Sequence, residues 1–202
     1  MSAVDQGLAR EYFEMHGFLV RQHRKYAVAA REKTADEEID LIVFNPDAVP
    51  ESRLVNFELT SEDVRSVRRA IVAVKGWHTD VFSPALLKNP DTLRFVEKDT
   101  LKEAERVIGG AGPLLKLLVI PGLPATQSLK QESIEVLKSR GVDGVLSFRT
   151  ILLDLIAHIE TNKNYQKSDL LQVLRLLKNY DLIKEQQLEL FGSKRRKKPA
   201  RD

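Results

Sequence analysis

Apolar positions in this chain keep two rhythms, a helical one near both ends and short strand-like runs between. Leu8, Tyr12 and Met15 recur at spacings of four and three, one face of an amphipathic helix over residues 5–16. Asp5 stands where a cap belongs and Gly17 where the helix stops. Phe18-Leu19-Val20 then starts a strand that runs into Arg21-Gln22-His23-Arg24-Lys25-Tyr26, a strongly basic segment. Residues 39–44 are short and rich in branched side chains and lead into Asn45-Pro46-Asp47, the pattern of a buried strand closed by a turn. Residues 54–59 alternate loosely, as an extra edge strand does, and a polar turn or short helix over 61–69 follows. Residues 70–75, rich in Val and Ile, form the next strand.

The second half alternates helix and strand. Ser83-Pro84 and Asn89-Pro90 each put proline at a first helical position. A helix over about 100–108 stops at Gly109-Gly110-Ala111-Gly112-Pro113. That cluster follows a helix and precedes a strand, whereas a phosphate cradle follows a strand and opens a helix. A buried strand over 114–120 closes at Pro121-Gly122, and a helix starting at Thr126 or Ser128 ends at Gly141. Residues 142–148 give a strand, residues 150–161 a helix with one apolar stripe, and Ser168 caps a last helix carrying Leu170, Leu171, Leu174 and Leu177. The expected fold class is α/β, a central mixed sheet flanked by helices.

Composition narrows the classes. With 202 residues, 43% hydrophobic and 30% charged, the chain suits one globular domain of ordinary size. We expect that domain over residues 1–183 and a flexible tail over 184–202. The absence of cysteine excludes disulfides and thiolate metal sites. No run nears 18 apolar residues, and the first twenty lack the apolar core of a signal peptide, so a cytoplasmic protein without a membrane partner is expected. The net charge of +3 is uneven: residues 192–202 carry six basic side chains against one acid, which leaves the rest at −2. A folded body of that charge meets nucleic acid through a local patch, or lets the tail supply the field.

Acids on the first helix and at the start of the second strand, with a lysine ending the third, resemble the PD-(D/E)xK nuclease superfamily, the restriction-endonuclease-like fold. The resemblance covers about residues 5–148 and rests on short motifs. It implies a metal-dependent DNA nuclease of repair, recombination or replication that uses Mg²⁺ or Mn²⁺. Asp40 matches the family's metal-binding aspartate and Lys75 its catalytic lysine, while Glu11 or Glu14 matches the helix acid of some members. The triplet reads Ala73-Val74-Lys75, so its carboxylate is missing, and Glu11, Glu14, Glu58 and Asp80 are the candidates to replace it. A catalytically inactive DNA-binding adaptor on the same fold is the alternative. Arg21, Arg24 and Lys25 offer phosphate contacts, and Trp77 a surface for base stacking; a solvated strand end and a sheet cap are the plain readings of the same residues.

Gln187-Leu188-Glu189-Leu190-Phe191 resembles the short peptide by which bacterial replication and repair proteins bind the sliding clamp. Gln187 would fix register, while Leu188, Leu190 and Phe191 would enter an apolar groove. The following Lys194-Arg195-Arg196-Lys197-Lys198 run suits a solvated tail that adds salt-sensitive DNA affinity.

Overall fold

The structure, a computed structural model, describes residues 2–22, 39–48, 56–109 and 112–183. Helix α1 (Ala3–Met15) is followed by strands β1 (Leu19–Gln22) and β2 (Leu41–Phe44), the short helix α2 (Ser61–Arg65) and β3 (Arg69–Val74). Helix α3 (Pro84–Leu87), a 3-10 segment (Pro90–Val96) and α4 (Lys98–Ile108) lead to β4 (Leu115–Ile120). Then come α5 (Gln127–Ser139), β5 (Gly144–Ser147), α6 (Phe148–His158) and α7 (Asp169–Asn179). The five strands form one mixed sheet in the order β1-β2-β3-β4-β5. The β1–β2 and β2–β3 pairs are antiparallel, and β3–β4 and β4–β5 are parallel.

Alternation along the strands feeds two cores, as the period of two requires. Leu41, Val43, Val72, Val74, Leu117, Val119 and Leu146 face α1 and α6, where Ala9, Tyr12, Phe13, Ile151 and Leu155 meet them. Ile42, Ile71, Ala73, Leu118, Ile120 and Val145 face the other side, against Phe82, Leu87, Phe95, Ala104 and Leu137. A sheet covered on both faces explains why β3 is buried along its whole length. Among the described residues no helix is long and apolar enough to cross a membrane.

Several expected boundaries shift for local reasons. The cap of α1 is Ser2, whose hydroxyl accepts from the Val4 N–H at 3.1 Å; Asp5 is thereby buried in the first turn instead. Helix α6 starts at Phe148, two residues early, because the Ser147 hydroxyl caps it by accepting from the Thr150 N–H. The described end of the 54–59 segment is only a bridge, Glu58 beside Val145 on the outer edge of β5. It goes no further because Thr60 and Asp63 form a capping box that turns the chain at once into α2. Helix α4 does close at the glycine cluster, with Gly109 at its C-cap at φ 60°. The cluster's carbonyls converge on the buried Arg69 guanidinium, which donates to Gly109, to Gly112 at 2.5 Å and to Pro113 at 3.4 Å. Three carbonyls of the cluster are thus taken up by one guanidinium.

Helix α7 lies outermost and has no fully buried residue. Leu171 and Leu174 pack on the first core, while Val173, Leu176 and Tyr180 are exposed. Ser168, its cap, donates to Glu11 Oε1 of α1 at 2.8 Å.

Candidate functional site at the sheet edge

Asp40 precedes β2 and Lys75 follows β3, and the antiparallel register brings both to one edge of the sheet. The Asp40 N–H donates to the Val72 carbonyl at 3.0 Å. Its carboxylate carries the ladder one step further, Oδ2 accepting from the Val74 N–H at 2.6 Å. The residue after Val74 is Lys75, whose own N–H donates to Val119 of the parallel neighbour at 2.8 Å. Acid and lysine thus end adjacent strands, and both are largely buried. The Lys75 ammonium lies 5.8 Å from the centre of the Trp77 ring, within cation–π reach.

The first turn of α1 closes this edge from one side. The Gln6 side-chain amide donates to Asp40 Oδ1 at 2.6 Å. Its neighbour Asp5 lies against Gly76 so closely that a Cβ on Gly76 would fall 2.0 Å from Asp5 Oδ2. The other Asp5 oxygen accepts from His78 Nε2 at 3.1 Å. His78 in turn sets its ring edge-on to Phe148 of α6, with centroids 4.8 Å apart. Consecutive helix residues therefore touch the acid of β2 and the turn after β3.

Of the residues singled out in the sequence, Asp40, Lys75 and Trp77 come together here. Trp77 stacks on Phe82, centroids 5.6 Å apart and planes 14° from parallel, so one ring face is covered by protein. Glu11 and Glu14 lie elsewhere, lining a cavity of about 400 Å³ with Arg10, Tyr165, Lys167 and Ser168. Glu11 is tied there by Ser168 and by Arg10 at 3.0 Å. Glu58 pairs with Lys130 at 2.6 Å, and Asp80 is exposed in the turn after β3. Arg21 lies on the edge strand β1. Arg24, Lys25, Gln187, Leu188, Leu190 and Phe191 lie outside the described residues. Ala73, at the triplet's acid position, is fully buried in the second core.

Asp5, Gln6, Gly76 and His78 carry this edge as much as Asp40 does, and the sequence pattern marks none of them as a metal or phosphate partner. In the sequence Asp5 reads as a helix cap, and His78, beside Trp77, as a second ring able to stack on a base or as a solvated turn residue. The glycine directly after the strand-ending lysine was the available signal, since glycine at a strand end often marks a close approach. Among the described residues, no group of three His, Cys, Asp or Glu side chains is arranged to hold a metal ion. Compared with protein-family models, curated proteins and solved structures, the chain matches none of them.

Proposed function

We propose that the protein acts on DNA as a metal-dependent nuclease whose reacting site is the Asp40–Lys75 edge. One observation carries the reading: the Asp40 carboxylate accepts the Val74 N–H, which brings acid and lysine to the ends of adjacent strands. Mg²⁺ is commonly held by one or two carboxylates, with waters and substrate phosphate oxygens filling the rest of its shell. A carboxylate has about four lone-pair sites, so acceptance from Val74 and Gln6 does not bar Asp40 from serving as one ligand. The ion, when bound, supplies an activated water and offsets charge at phosphorus. Lys75, buried beside Trp77, would meet the scissile phosphate as a fixed positive charge.

The test is a cleavage series on plasmid and branched DNA with and without Mg²⁺ or Mn²⁺, beside calorimetric titration of Mn²⁺. Cleavage is expected to need the ion and to collapse in Asp40→Asn. Lys75→Ala should lose rate while keeping metal affinity. Cleavage that persists in Asp40→Asn would place the chemistry elsewhere.

A specific observation favours the adaptor as second reading. Ala73 is fully buried in the core that also holds Ile71, Phe82 and Ile120, where a carboxylate would be costly to bury. DNA binding without metal binding or cleavage would select it. For either reading we propose that residues 187–191 recruit the protein to a bacterial sliding clamp, with the basic run beyond adding DNA affinity.

A further inference from the structure

The sheet edge holds a second pair of groups, Asp5 and His78, that the Asp40–Lys75 reading does not use. Asp5 is a nearly buried carboxylate, its side chain 9% exposed, and its partner His78 is 52% exposed. An ionised carboxylate can only accept, so His78 Nε2 carries the proton of their 3.1 Å contact, and in the neutral ring Nδ1 is then the acceptor. From α1 the charged group facing the ring is Asp5, from α6 the contact is the apolar Phe148, and Lys75 and Asp80 are the charged residues of the segment after β3 that carries His78. A half-exposed imidazole, fixed in one tautomer by a buried carboxylate, is the arrangement by which proteins hold a general base. The close approach depends on Gly76, because any Cβ there would collide with the Asp5 carboxylate. Asp5 and Gln6 are consecutive, so the dyad lies one helix residue from the group that touches Asp40.

We propose that His78 is the proton-transferring catalytic residue of this edge and that Asp5 is its positioning residue. This rests on the nuclease reading above and adds the acid–base partner which that reading lacks. In the step, a water oxygen forms a bond to phosphorus as Nδ1 of neutral His78 takes the water's proton. The bond from phosphorus to the leaving sugar oxygen breaks, and the proton passes to that oxygen. The products are a phosphate monoester and an alcohol, and His78 returns to its neutral form. Asp5 offsets the charge of the imidazolium formed between the two transfers.

The experiment measures single-turnover DNA cleavage with Mg²⁺ across a pH series, using the full chain, His78→Gln, Asp5→Asn and His78→Gly. Thermal melting checks that each variant is folded. His78→Gln should lose about 10²-fold or more of the rate, together with the limb of the pH profile that reports the base. Added imidazole should restore part of the rate to His78→Gly and none to Asp40→Asn. In ¹⁵N-histidine spectra the parent should show the Nε2–H tautomer, and Asp5→Asn should lose that preference. If the parent cleaves and His78→Gln keeps its rate and pH profile, the dyad is overturned while the nuclease reading stands. An Nδ1–H tautomer in the parent overturns the dyad by itself. A parent that cleaves no DNA overturns both.

Discussion

Gly76 is where a single methyl group would do most harm at the sheet edge. Gly76→Ala would place Cβ 2.0 Å from Asp5 Oδ2, so the first turn of α1 must shift. Overpacking of this kind costs about 1–3 kcal/mol, and urea denaturation should show the unfolding free energy falling by that amount and the midpoint moving to lower urea. A different side chain sets the response to acid. His16 lies within the protein, its side chain 4% exposed, with Nε2 at 2.6 Å from Asp154 Oδ2 and His158 on the same aspartate. Burial lowers its pKa from the ordinary 6.5, against the pull of the Asp154 hydrogen bond, with Arg65 and His158 lowering it further. Because the folded pKa is depressed, the unfolded chain binds more protons below 6.5, and stability present above that pH is lost as pH falls through the folded value. Unfolding free energies measured from pH 7.5 downward should drop in this window, and His16→Gln should flatten the slope.

Elements were far more legible than their ends or their side-chain roles. The apolar runs within residues 39–44 and 70–75 declare themselves because a strand buried on both faces is nearly continuously apolar, and β2 and β3 lie there. What no run of residues announces is which polar group finds which partner across the chain. Glu11 looked like a site acid because it shares a helix side with Glu14, yet its carboxylate accepts from Ser168, 157 positions away. Asp5 reads as a cap in the sequence, yet Ser2, three residues earlier, holds that place. Ser168 shows what such long-range pairing is worth. Its hydroxyl caps α7, accepting from the Leu171 N–H at 3.3 Å, and donates to Glu11. Ser168→Ala should lower stability by about 0.5–2 kcal/mol for the cap, with hydrogen exchange rising first in α7. Unchanged exchange there would mean that α7 is held by its leucines alone.

For the molecule as a whole, the proposed partners divide between the sheet edge and the C-terminal segment. A labelled peptide of residues 185–192 should bind a bacterial sliding clamp, and Leu190→Ala with Phe191→Ala should abolish binding in fluorescence anisotropy, since a few apolar anchors carry a small interface. Equal binding by the double variant would make the motif a coincidence. The architecture of the body has a consequence for its birth on the ribosome. Each strand lies beside the one made just before it, so as the chain emerges N-terminal end first, every new strand meets an edge already in place. Helix α1 is the exception. It is made first, yet the groups that hold its far end, Asp154 and Ser168, arrive 138 and 157 residues after their partners. Until then Tyr12 and Phe13, which end up fully buried, lack the cover of α6. Nascent chains halted before residue 148 should therefore expose an apolar face that a chaperone can hold, and chains released after residue 180 should not.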